Sequence, residues 1–135
     1  GNIEEGLTEF PDQSFDFVIL SQTLQETRNP LFIVSEMLRV GKKAIVTFPN
    51  FAYWKARLQF LSGVPPKTSS LPYDWYNSPN IRVVSIKSFK NFCKENHINI
   101  LQEIPIYDSH LVNLLSLKFC SNAFSKKGMF ILQKQ

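Results

Sequence analysis

Glycine is scarce in this chain: five in 135 residues, with no two close enough to form a Gly-x-Gly turn. A glycine-rich phosphate or dinucleotide loop is therefore missing from these residues. Cysteine is rarer still. Cys93 and Cys120 form no Cys-x-x-Cys pair and are too few for a disulfide framework; each follows a phenylalanine, and both are expected to be buried free thiols. With two histidines, His97 and His110, no His/Cys/Asp/Glu spacing suits a metal, and no metal is expected. No apolar run approaches the roughly 18–20 residues that cross a bilayer, so no membrane partner is expected. Residues 1–13 are acidic and lack an apolar leader core, and we expect a cytoplasmic protein. There is no repeat, low-complexity tract or linker, so residues 1–135 read as one domain.

Acids become rare after the first quarter of the chain. Residues 1–36 hold seven acids against Arg28 alone, whereas residues 37–135 hold fourteen bases against four acids. The bases are scattered and no RNA-binding aromatic motif accompanies them, so the net charge of +4 reads as solvated surface and no nucleic-acid partner is expected. What is abundant is apolar: 44% of residues, including twelve Phe, enough for a globular core.

Phe15-Asp-Phe-Val-Ile-Leu20 is a short, nearly continuous apolar run, as in a strand covered on both faces. Asn29-Pro30 is a helix start, with Asn as N-cap and Pro at the first helical position. Leu31, Val34, Met37 and Leu38 recur at helical spacing, and Gly41 is expected to stop the helix in a left-handed conformation. Ala44 to Phe48 follows as a second buried strand, parallel to the first. Phe51 to Leu61 reads as a helix with Phe51, Trp54, Leu58 and Leu61 lining one face. Residues 62–82 form a long loop whose clustered aromatics predict packing against something. Ser85 caps a helix to about Glu95, ended by Asn96-His97, with Ile86, Phe89, Phe92 and Cys93 inward. Ile98 to Tyr107 is extended, with Pro105 marking an irregularity or an edge. His110 to Ala123 reads as partly helical, residues 125–128 as a turn, and 129–133 as a last strand antiparallel to its neighbour.

Ligands in such sheets bind beyond the carboxyl ends of the strands, which singles out the elbow Ser21-Gln-Thr-Leu-Gln25 and, within it, Gln22 and Gln25 as pocket-lining candidates. Tyr73, Asp74, Trp75 and Tyr76 in the long loop, with Asn50 after the second strand, are candidate contacts for a substrate or a partner protein. Trp and Tyr are favoured interface anchors. His97, and His110 beside Asp108, read as surface residues rather than acid–base catalysts. No catalytic residue is assigned.

The order of elements resembles the C-terminal half of a class I S-adenosylmethionine-dependent methyltransferase. Phe10-Pro-Asp-Gln-Ser-Phe-Asp-Phe-Val-Ile-Leu20 is similar to the phrase through its fourth strand, and Leu31 to Gly41 to the helix and turn after it. Ser21 to Gln25, Phe48-Pro-Asn-Phe51 with Trp54, and Leu71-Pro-Tyr-Asp-Trp-Tyr-Asn-Ser-Pro-Asn80 together resemble the MetW family of methionine biosynthesis proteins. The resemblance implies a Rossmann-like α/β sheet of parallel strands with a terminal antiparallel pair. It also implies a bacterial methionine-biosynthesis role beside a homoserine O-acyltransferase. Its cofactor would be S-adenosylmethionine, with Asn2 and Ile3 at the end of a third strand and Ser21 and Gln22 at the cofactor. The alternatives are a methyltransferase with an unknown small-molecule acceptor and a cofactor-free interaction module. The resemblance further implies a missing N-terminal cofactor-binding half, no measurable cofactor binding or activity by these residues alone, and an open strand edge suited to self-association.

Overall fold

The computed structural model describes residues 2–107 and 120–135. Strand β1 (Phe15–Ser21) leads through a 3₁₀ turn (Leu24–Glu26) into helix α1 (Pro30–Val40) and strand β2 (Gly41–Pro49). Helix α2 (Trp54–Leu61) and a long loop precede helix α3 (Ile86–Glu95), strand β3 (Ile98–Tyr107), the short helix α4 (Ser121–Phe124) and strand β4 (Ser125–Lys134). The sheet order is β1-β2-β4-β3. β1 pairs parallel with β2, while β4 inserts antiparallel between β2 and β3. The expected parallel pair and terminal antiparallel pair are both present.

Local chemistry sets the helix starts. Asn29 Oδ1 accepts from the Phe32 amide at 3.2 Å, with Pro30 in the first turn. Ser85 and Ser88 exchange side-chain and backbone bonds in a reciprocal cap. The sheet and helices share one core. Leu20, Val46, Phe48, Phe130 and Leu132 from the strands meet Val34 and Met37 of α1 and Ile86, Phe89 and Cys93 of α3. Phe48 and Phe130 lie stacked at 5.8 Å, and Phe89 sits 4.9 and 4.8 Å from them.

That core occupies one face of the sheet, which corrects the reading of β1. Alternate strand residues point to opposite faces, so Leu20 is buried while Phe15, Phe17 and Ile19 are 44%, 53% and 65% exposed. β1 is also the edge strand. Its apolar run is therefore not covered on both faces among the described residues.

Other expectations change for similar reasons. Gly41 is extended at φ −109° rather than left-handed and begins β2. Glycine is needed there for closeness, since a Cβ would stand 2.6 Å from Val18 Cγ2. The helix expected from Phe51 starts at Trp54, and the stripe Trp54, Leu58 and Leu61 faces solvent rather than the core. Residues 125–128 are strand, not turn; Gly128 packs where a Cβ would press on Ile86, Phe48 and Phe130 at 3.1–3.2 Å. Asn2 caps a 3₁₀ turn at Ile3–Glu5 rather than ending a strand. Cys93 is buried as expected, but Cys120 is exposed. The expected helix over His110 to Ala123 lies mostly outside the described residues, apart from α4, as do Asp108 and His110.

Ahead of β1, residues 3–13 are clamped onto α1. Arg39 grips the Glu36 carboxylate at 2.8 and 2.9 Å, Asp12 at 2.7 Å, and the carbonyls of Leu7 and Phe10 at 3.0 and 3.1 Å. The Leu7 amide donates back to Glu36 at 2.9 Å. These bonds hold the Glu36 carboxyl at about 2, Arg39 contributing most.

Candidate functional site

At the carboxyl end of β1 the backbone turns sharply. Gln22 has φ 51°, a conformation uncommon for a residue with a side chain. The turn is held from β2: the Gln22 amide donates to the Thr47 carbonyl at 2.8 Å and to Thr47 Oγ1 at 3.2 Å. That hydroxyl donates to Ser21 Oγ at 3.4 Å. Ser21 and Gln22 are exposed on the elbow, where strand-end position predicts ligand contact. Gln25 differs from them: it is 3% exposed, and its Nε2 donates to the Gln22 carbonyl at 2.6 Å. Its Oε1 is buried without a hydrogen-bond partner among the described residues. An orphaned buried acceptor is rare enough to require an explanation.

The elbow is joined to two other segments. Glu4 Oε1 accepts from the Arg28 amide at 2.7 Å, which brings the turn capped by Asn2 to the far end of the elbow. The Asn2 amide is occupied in that turn, accepting from Glu4 N and donating to Glu5, while Ile3 packs against the core. From the other side, the amides of Ile81 and Arg82 donate to the Gln25 carbonyl at 3.0 and 2.9 Å. The Arg82 guanidinium reaches the carbonyls of Arg28 at 2.5 Å and Thr27 at 3.4 Å. Sequence reasoning missed Arg82, because a contact spanning more than fifty residues leaves no mark in local spacing.

The long loop encloses a hollow of about 320 Å³ lined in part by Val64, Tyr73, Asp74, Trp75, Arg82 and Val83. It contains neither Ser21 nor Gln22; Arg82 connects it to the elbow. Asp74 pairs with Lys67 at 3.0 Å. Trp75 and Tyr76 stand edge to face at 5.7 Å and are 75% and 70% exposed, so these rings pack on each other at the surface. The loop is nonetheless anchored. Gln59 of α2, also missed in the sequence, donates to the Lys67 carbonyl at 2.9 Å and accepts from its amide at 2.6 Å.

Asn50 is placed differently. It is fully buried, and its Nδ2 donates to the carbonyls of Asn122 and Ser125 at 2.8 and 2.9 Å. Its Oδ1 accepts from Ala52, so its side chain ties β2 to the start of β4 rather than facing a ligand. His97 is an exposed residue at φ 55° after α3. Among the described residues no cluster of His, Cys, Asp and Glu could hold a metal, and no helix is long and apolar enough to cross a membrane.

Comparison with known proteins follows the same lines. The family model described as methionine biosynthesis protein MetW matches residues 1–132. A curated relative from Rhodopirellula baltica, the bifunctional methionine biosynthesis protein MetXA/MetW, is 38% identical over 105 residues. The match covers 76% of this chain, which spans only 17% of that relative's length. Among solved structures, a SAM-dependent methyltransferase from Archaeoglobus fulgidus superposes with a TM-score of 0.57 at 15% identity, covering 99% of this chain and 66% of the other. The small RNA methyltransferase HEN1 gives a TM-score of 0.60 at 15% identity over 100% of this chain and 15% of its own. At such identities the structural likeness establishes a methyltransferase fold and nothing of substrate.

Proposed function

This chain belongs to the MetW family of methionine biosynthesis proteins, and from that membership we propose that it serves methionine biosynthesis on a methyltransferase scaffold, acting with a homoserine O-acyltransferase. The observation that carries this reading is the relative that joins the names MetXA and MetW in one polypeptide. Fusion places two activities side by side, which is what separate chains achieve by binding. The loop supports the same reading, because exposed Trp75 and Tyr76 on an anchored segment suit protein contact better than a closed substrate pocket.

S-adenosylmethionine, the cofactor the fold implies, fits part of what is present. Ser21 and Gln22 are exposed polar groups at the strand end, and the unpartnered Gln25 Oε1 requires a donor. Asn2 and Ile3 approach the elbow through Glu4, although the Asn2 amide would have to leave its own turn to meet a ligand. When bound, the cofactor supplies a sulfonium methyl group. The contribution of this chain is to position: Thr47 fixes the Gln22 turn, and Arg82 fixes the end of the elbow. Methyl transfer to a small-molecule acceptor is a second reading, favoured by the orphaned Gln25 oxygen, and positioning alone suffices for such a reaction.

The test is capture of the organism's homoserine O-acyltransferase by the full open reading frame, beside S-adenosylmethionine calorimetry on that frame and on these 135 residues. We expect capture, and no measurable cofactor heat from the 135 residues alone. Failure of the full frame to capture the acyltransferase, with cofactor binding intact, would replace this reading by the methyltransferase one.

A further inference from the structure

We propose that the surface formed by α2 and the loop after it is a docking site for an acidic segment of a partner protein carrying an apolar anchor. This rests on, and sharpens, the partner reading above. The surface displays large apolar side chains. Leu58 and Leu61, neighbours on one side of α2, are 55% and 83% exposed, and Trp75, Tyr76 and Val83 of the loop are 75%, 70% and 74% exposed. The hollow of about 320 Å³ beside Trp75 is of a size to take an apolar side chain. The loop is held ready for this by the Gln59–Lys67 backbone bonds, by the paired amides and carbonyls of Thr68 and Leu71 at 3.0 Å, and by the Ile81 and Arg82 bonds to Gln25. A surface ordered in advance loses less entropy when it binds.

The charge of this surface comes from the same stretch. On α2 and the loop stand Lys55, Arg57, Lys67 and Arg82 against the single acid Asp74, which Lys67 already pairs at 3.0 Å. A second hollow, of about 370 Å³, is lined by Tyr53, Lys55, Lys67, Thr68 and Lys126 among others, with no acid among the described residues of its wall. Lys67 borders both hollows, so an apolar site and a cationic site adjoin. Aromatic anchors beside a basic rim call for a ligand with an apolar side chain next to carboxylates. Two separate hollows suit a peptide with side chains at intervals better than a lipid surface, which would meet a continuous amphipathic face.

Fluorescence anisotropy with a short labelled peptide alternating Glu with Leu and Phe tests this directly. Two control peptides replace Glu by Lys or the apolar residues by Ser, and phosphatidylglycerol vesicles serve as a competing surface. The acidic apolar peptide should bind with an affinity that falls as salt rises. Trp75→Ala should weaken it by about tenfold or more, Lys55→Glu should weaken it several-fold, and both controls should bind far less. Circular dichroism of each variant confirms folding, and Tyr76→Ser provides a second anchor change. Equal binding of the Lys peptide, no effect of either variant, no binding at all, or preference for the vesicles would each overturn the proposal. Acyltransferase capture separates the two readings. If the variants capture the enzyme as well as the wild type does, this site is wrong and the partner reading stands. If the peptide binds as described but the enzyme is never captured, the partner reading falls and the site stands.

Discussion

Replacing Glu36 by Gln should destabilise the chain by an amount that depends on pH in a defined way. In the folded protein the Glu36 carboxyl is held at about 2, against 4.5 when unperturbed. Such a gap corresponds to about 3 kcal/mol as an upper value. Asp12, the other carboxylate on Arg39, has a side chain 73% exposed, and the screened network and residual amide bonding reduce the expected cost of Glu36→Gln to about 1–2 kcal/mol at neutral pH. The sign follows from the depressed folded value. The carboxylate contributes fully above 4.5, and its contribution is lost as pH falls through about 2. Urea denaturation of wild type and variant at several pH values between neutral and 3 is the assay. The difference should be constant above about pH 5.5, fall below half by about pH 3, and vanish near the folded value. A difference that stays constant down to pH 3, or grows, would show that Glu36 stabilises by packing alone and would refute the clamp.

Three further outcomes are expected. Gly41→Ala should cost about 1–3 kcal/mol, because its Cβ would meet Val18 Cγ2 at 2.6 Å; a neutral result in denaturation would mean that β1 shifts freely. Asn50→Ala should cost about 2–3 kcal/mol by leaving the carbonyls of Asn122 and Ser125 without their donor, and Asn50→Asp should cost more by setting a carboxylate against them. The ordering of the two denaturation midpoints checks this. Burial pushes the Cys93 thiol up to about 12, so Ellman's reagent at pH 8 should titrate Cys120 quickly and Cys93 only after denaturant is added. Two fast thiols in the native protein would contradict the packing of α3.

The elements that were legible in advance are those defined by neighbours in the chain. Asn29-Pro30 and Ser85 begin helices because their side chains reach amides three residues on, a relation that spacing alone expresses. Pro105 marks an irregular strand for the same kind of reason, and the register of β3 shifts on either side of it. The elbow is legible because it follows an apolar run and precedes a helix start. The faces of those elements were harder to read. Trp54, Leu58 and Leu61 recur at helical spacing, yet they face solvent. Spacing shows that a stripe exists but not what lies opposite it.

By itself, then, the order of residues determined the succession of strands and helices, the caps that start them, the family, and the elbow at the end of β1. Only the tertiary structure decided which face of β1 is covered, that Asn50 bonds inward to β4, and that Arg82 and Gln59 anchor the loop to the elbow and to α2. The physical reason is separation along the chain. A cap is a bond between residues about three apart, written into the local pattern. Asn50 to Ser125 and Arg82 to Arg28 are contacts across more than fifty residues, and they exist only after the core has brought those segments together.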